Sequence, residues 1–543
     1  MFADIHCHPT FFSFNRHRNT DVERNHLMFH PWNTAASDER AKAKGRRAMR
    51  YAQCDLMQSH AVGARLLFAS ITPIERGFFE GGPNADDNTS FRKELLRAAL
   101  GVTAVKTARA LLRGDKQAAG RAALAVFRNR GPGRRLLHRL MLGFPKERID
   151  YVLSGRYDYW DEFQREYRYL LERDGLETPY ETNDAGATLG RYDLIEDAND
   201  LEQTLAEPDG RVAIVLTIEG GHTFSVGQDD QPVSETRLFD RIERLKRWPH
   251  PILFITLAHH FDNFIVGHAH SLIDAASYVM SQSQRMGRGF ERSGDIGLRV
   301  VRALYGLDDA LNDDGTRRVL IDGKHLSARA RVELYHEILS PICEQVEAGA
   351  DRALVPMVFS HAGYNARPDL AALIDDAARE DDQWFQGPYN AWSINVCDED
   401  VRMVARTRGL IGLCVDRRIA GLRPGEAPPG DDPGAVWARQ IFGMVDAVWD
   451  DRSLSHEEKL RVWDCISLGT DYDGAIDPLP GYETIRRLPS ARADLRRHLE
   501  AAKEQRGIAE IGVDELVDKI AWRNAYEFAL RELPRRKKHD LRA

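Results

Sequence analysis

His6 and His8 flank a single cysteine in Ala3-Asp4-Ile5-His6-Cys7-His8-Pro9. On a β-strand that spacing puts both imidazoles on one face. At a strand's end the two rings can share one metal ion, and zinc favours such nitrogen ligands. The alternative is a polar strand terminus whose histidines hydrogen-bond nearby backbone. Ligand-type residues recur further on, in Ile218-Glu219-Gly220-Gly221-His222, Leu257-Ala258-His259-His260 and Ile321-Asp322-Gly323-Lys324-His325. They recur again in Phe359-Ser360-His361-Ala362-Gly363 and in Gly469-Thr470-Asp471-Tyr472-Asp473-Gly474. Each alone reads as a solvated strand end; gathered on one rim, they predict a metal-centred active site.

The elements that must gather them are apolar, β-branched runs at 2–8, 64–72, 211–221, 251–260, 318–325, 354–363, 409–416 and 465–474. Continuous runs of this kind fit parallel strands covered on both faces. Helical patterns lie between them, as at 327–348 and 398–408. The alternation predicts an α/β fold, a (β/α)8 TIM barrel with long helical insertions, whose site lies at the strands' C-terminal ends. Residues 1–533 are expected to form a single elaborated barrel, with insertions at about 80–205 and 269–314 and a frayed basic tail at 534–543. The first insertion carries a basic helical stretch at 97–139, read as a solvated face, and an aromatic stretch, 157–169, read as helix packing. The second follows strand four and is either a lid or a plain excursion.

A hydrophobic content of 43% supplies a packed core. The net charge of −8 argues against general nucleic-acid affinity, which needs surplus Lys and Arg. Six scattered cysteines without a Cys-x-x-Cys pair form neither a disulfide scaffold nor a thiolate zinc site. No apolar run approaches the roughly 20 residues of a transmembrane helix, and no leader is legible before the first strand, so the expected location is cytoplasmic.

Four motifs together resemble the membrane dipeptidase (renal dipeptidase) family of zinc peptidases in the amidohydrolase superfamily. They are Ile218-Glu219-Gly220-Gly221-His222, Ile321-Asp322-Gly323-Lys324-His325-Leu326-Ser327, Phe359-Ser360-His361 and Gly469-Thr470-Asp471-Tyr472-Asp473-Gly474, in family order. Thr256-Leu257-Ala258-His259 matches the family's substrate-contacting histidine. The resemblance implies two divalent metal ions, zinc by expectation. His6 and His8 would bind the first, Glu219 would bridge both, and His325 with His361 would bind the second. Asp471 would touch the first metal and act as the base, and His259 would contact substrate and stabilise the oxyanion. The implied reaction is hydrolysis of a small amide, most simply a dipeptide, by a metal-bridging hydroxide. Asp473 reads as structural.

Two departures from the family pattern stand out. The opening is His6-Cys7-His8, where the family usually has His-x-Asp. In Ser393-Ile394-Asn395-Val396-Cys397-Asp398-Glu399, Ile394 stands where the family places an arginine that grips the substrate's carboxylate. Isoleucine cannot make that contact, and Arg367, nearby in sequence, is the candidate to replace it. Rival readings are hydrolysis of another amide or a lactone, such as an N-acyl amino acid or a cyclic dipeptide. A phosphoesterase, for which Lys324 and Arg367 are the only rim cations, and a non-catalytic metal-binding barrel rank lower. The expected partner is a small-molecule or dipeptide substrate, and homodimeric assembly stays open.

Overall fold

The computed structural model describes residues 1–17, 31–32, 52–79, 146–182, 186–224, 234–272, 287–376, 385–423 and 426–535. The expected basic stretch at 97–139 and most of the tail lie outside the described residues.

Eight parallel strands follow one another in chain order around the sheet. They are β1 (Phe2–Cys7), β2 (Ala64–Ile71), β3 (Val212–Glu219) and β4 (Ile252–Thr256), then β5 (Leu320–Asp322), β6 (Val358–Ala362), β7 (Leu410–Leu413) and β8 (Ile466–Leu468). Every residue of β3 is buried, as its unbroken apolar run requires of a strand covered on both faces. Seven of the eight joints are strand ladders. The eighth, between β8 and β1, closes through the bridge Cys7↔Tyr472 and the backbone bonds Asp471 N to His6 O and His8 N to Tyr472 O, both 2.9 Å. This is the expected (β/α)8 barrel.

Asp4 reinforces the closing joint from inside. It accepts from Thr470 N at 2.9 Å and from Thr470 Oγ1 at 2.5 Å, so a fully buried carboxylate ties β1 to the end of β8. Asp322 does the same on the far side of the barrel, accepting from Thr256 Oγ1 on β4 (2.6 Å) and from Ser360 N on β6 (2.9 Å).

Observed strands are shorter than the apolar runs at their C-terminal ends. The residues with ligand-type side chains mostly leave the ladder, and that is what frees them to turn over the barrel mouth. Ser327, directly after this turn at β5, caps the next helix (Ala328–Leu334) by accepting from Ala330 N at 3.1 Å.

The described part of the first insertion includes a helix, Tyr159–Leu171, whose aromatic face packs on the barrel. Phe163 and Tyr167 stack on Trp248 with ring centroids 4.9 and 4.2 Å away, and buried Arg148 pairs with Glu162 at 2.8 Å. Tyr192–Leu194 runs beside the first half of β3. In the second interruption the described residues form a turn and a helix, Ile296–Tyr305, packed on β5. All six cysteines are free and buried. Among the described residues, no helix is long and apolar enough to cross a membrane.

Candidate metal centre

The residues singled out by type converge at the C-terminal mouth of the barrel. His6 lies in β1 and His8 just past its end; Glu219 is the last residue of β3, and His361 lies in β6. His259, His325 and Asp471 sit in the turns after β4, β5 and β8. His325 and Asp471 have φ of 64° and 62°, the left-handed region that non-glycine residues seldom occupy. Such backbone costs on the order of 1–3 kcal/mol and is found where surrounding structure enforces it. After β3, Gly220 has φ 106°, and a Cβ there would lie 2.1 Å from the His222 ring. A Cβ on Gly221 would lie 2.5 Å from Leu257 O, so the Gly-Gly pair is what lets this turn pass so close to its neighbours.

Glu219 is the hub. Its Oε1 lies 3.5 Å from His6 Nε2, 3.5 Å from His259 Nε2, 3.7 Å from His325 Nε2 and 3.6 Å from His361 Nε2. Its Oε2 lies 3.2 Å from His8 Nε2. Asp471 faces the same group, at 3.7 Å from His6, 3.6 Å from His8 and 3.8 Å from His361. Most of these separations are too long for good hydrogen bonds. They match two donors that share a cation, since atoms each about 2.1 Å from one ion in tetrahedral geometry lie about 3.4 Å apart.

Hydrogen bonds on the outer ring nitrogens orient the imidazoles. His8 Nδ1 lies 3.0 Å from the Ser70 carbonyl, which can only accept, so Nδ1 carries the proton and Nε2 faces the carboxylates. His361 Nδ1 lies 2.9 Å from Ser360 Oγ, whose own proton goes to Asp322 at 2.5 Å. The serine must therefore accept from His361, which again turns Nε2 inward. His6 Nδ1 and Nε2, His8 Nε2 and His325 Nδ1 are buried without a hydrogen-bond partner among the described residues. His6 Nε2 and His8 Nε2, both aimed at two carboxylates, are donors suited to a divalent cation. His6, Glu219, His361 and Asp471 form one group whose ligand atoms all lie within 4.8 Å of one another.

The same packing sets the electrostatics. Burial alone would raise the Glu219 carboxyl, but His259 and His6 outweigh it and hold it well below its ordinary value. Burial, with Glu219 beside it, raises Asp471. At His259, burial favours the neutral ring, and the charges of Glu219 and Glu75 overturn that to raise it.

Three residues of the site, Glu75, His222 and His260, have no role assigned from sequence. Glu75 Oε1 lies 2.5 Å from His259 Nδ1, and Glu75 Oε2 lies 3.8 Å from His222 Nδ1. Its carboxyl is held down at about 2: burial would raise it, and His259 and His222 outweigh that. His260 packs against His259 with the rings tilted by 48° and their centroids 4.0 Å apart. Asp473 is spent on structure, accepting from Gln53 N at 2.7 Å and Cys54 N at 3.1 Å. Arg367 is half-buried after β6, its backbone N–H donating to Asn365 Oδ1 at 2.9 Å. Ile394 is buried in a separate apolar group with Ala269, Trp392, Cys414 and Ile419.

Fold and site together define a (β/α)8 barrel with a buried His/Glu/Asp centre at its mouth. Comparison with protein-family models and with curated proteins finds no match. Among solved structures, the chain is similar to a metallo peptidase from Rhodobacter sphaeroides liganded with a phosphinate mimic of the dipeptide L-Ala-D-Ala. That pair is 15% identical over 98% of each chain, with a TM-score of 0.46. It is also similar to the dipeptidase AC, a metallo peptidase of family M19, at 13% identity over 98% of each chain and a TM-score of 0.48. A probable dipeptidase, PvdM, from Pseudomonas aeruginosa aligns at 14% identity over 74% of this chain and 81% of its own, with a TM-score of 0.31.

Proposed function

We propose that this chain is a metal-dependent hydrolase of small amides, with dipeptides as the first substrate class and two zinc ions as the cofactor. The observation that carries the reading is the convergence of five imidazole Nε2 atoms and the Asp471 carboxylate around Glu219. His6, His8 and Asp471 would hold one cation and His325 with His361 the other, with Glu219 between them.

Such a cation pair supplies acidified water and a polarised carbonyl. The chain's own groups do the rest. Asp471 takes a proton from the attacking water and returns it to the leaving amine. His259 stabilises the developing oxyanion from Nε2, while Glu75 holds the opposite ring nitrogen. The burial of all these groups keeps bulk water away from the proton being moved.

The test is amine release from a broad dipeptide panel, using protein stripped by chelation and reloaded with zinc. Hydrolysis lost on stripping and regained on reloading is expected. A folded, zinc-loaded protein silent on the whole panel would reject the dipeptide assignment. The second reading, another amide or a lactone, draws its support from Ile394: its burial among apolar side chains leaves that position without a guanidinium.

A further inference from the structure

Lys324, in the turn between β5 and His325, is 1% exposed, and its Nζ has no hydrogen-bond partner among the described residues. The other buried lysine among the described residues behaves differently: Lys246 Nζ donates to Ala303 O at 2.6 Å and to Thr316 Oγ1 at 2.5 Å. An ammonium withdrawn from water and left unbonded is costly, so a site that keeps one is built for something that is not part of the chain.

The carboxylates acting on this charge are Asp471, Asp322 and Asp416. Lys324 follows β5 by two residues and directly precedes His325, so it lies at the barrel mouth. Each carboxylate there is already engaged. Asp322 accepts from Thr256, Ser360 and the Lys324 backbone. Asp416 forms a two-pronged pair with Arg418, with Nε at 3.0 and 3.1 Å. Asp471 faces His6, His8 and His361. The Lys324 charge also acts on His325 and His361, two of the converging imidazoles. Cys414, directly after β7, belongs to the apolar group of Trp392, Ile394 and Ile419, an uncharged wall at the same mouth.

We propose that the Lys324 ammonium binds a free carboxylate of the substrate, selecting amides of amino-acid type with an apolar side chain beside that carboxylate. One ammonium balances one carboxylate. A phosphate dianion would keep part of its charge unmatched in a buried site. The proposal rests on the hydrolase reading above.

The test compares zinc-loaded protein acting on L-leucyl-L-leucine and on L-leucyl-L-leucinamide. The free acid is expected to be preferred in kcat/KM by about 100-fold or more, as for loss of one partner of a buried charge pair. Lys324→Met should shrink that preference to within about threefold; Lys324→Gln serves if the methionine variant fails to fold. Equal loss on both substrates, or no preference in the wild-type protein, overturns the proposal. A second arm needs no turnover: calorimetric binding of N-acetyl-L-leucine against N-acetyl-L-leucinamide. If neither dipeptide is cleaved but the acid binds at least about tenfold tighter, and only with Lys324 present, the hydrolase reading fails and the carboxylate site stands. Equal or undetectable binding of the two by wild-type protein overturns it.

Discussion

Glu75 and His259 meet across 184 residues of chain, with Oε1 2.5 Å from Nδ1. An ionised carboxylate can only accept, so the proton lies on Nδ1 and the ring is held with Nε2 toward Glu219. Glu75→Gln keeps the volume and removes the charge that fixes the ring. The expected result is a fall in kcat/KM on the order of 10–100-fold with zinc content unchanged, as for other groups that orient a site's imidazole. Steady-state kinetics beside elemental analysis checks it, and unaltered kinetics would detach His259 from the chemistry.

Asp322 governs His361 without touching it, through the Ser360 hydroxyl. Ser360→Ala removes the acceptor for His361 Nδ1 and lets the ring turn. Zinc affinity should weaken by about 10–100-fold, measured by competition with a chromophoric chelator. Affinity equal to wild type would show that packing alone, such as the 4.0 Å stack of His361 on His6, holds the ring.

What the sequence made legible follows from what repeats in it. The eight strands announce themselves because each is a buried apolar run, and His6, Glu219 and His361 because they lie within or at the end of such runs. The strand ends were drawn too long at β5 and β8, where His325 and Asp471 leave the ladder in a left-handed conformation that residue type does not signal. Glu75 was invisible. It stands in Thr72-Pro73-Ile74-Glu75, four residues past the end of a strand, and its meaning comes from distant histidines. Lys324 could be seen as a cation on the rim, but only its burial and lack of a partner say what kind of cation it is.

Glu219 and Asp471 should separate on substitution, because only one lies among all five imidazoles. Glu219→Ala is expected to cost at least one metal ion per chain by elemental analysis; a full complement would refute its bridging position. Asp471→Asn keeps a coordinating oxygen and loses the proton acceptor, so metal should largely remain while turnover falls roughly 10²–10⁴-fold. Activity near wild type would sink the assignment of Asp471 as the base.

Glu166 carries a pH dependence of its own. It is 1% exposed and accepts a 2.8 Å hydrogen bond from Thr10 Oγ1. Burial raises its carboxyl from 4.5 to about 7, against the opposing effect of the Thr10 bond. The folded chain therefore keeps a proton that the unfolded chain releases near 4.5. That contribution to stability is whole below the unfolded value and is lost as pH rises through about 7. A shift of this size corresponds to about 3 kcal/mol. Glu166→Gln, neutral at every pH, should remove the trend: between pH 5 and 8 the wild type should lose about 2.5 kcal/mol more unfolding free energy than the variant. Denaturant titrations at both pH values decide it, and parallel losses would mean that Glu166 is already ionised in the folded protein at pH 5.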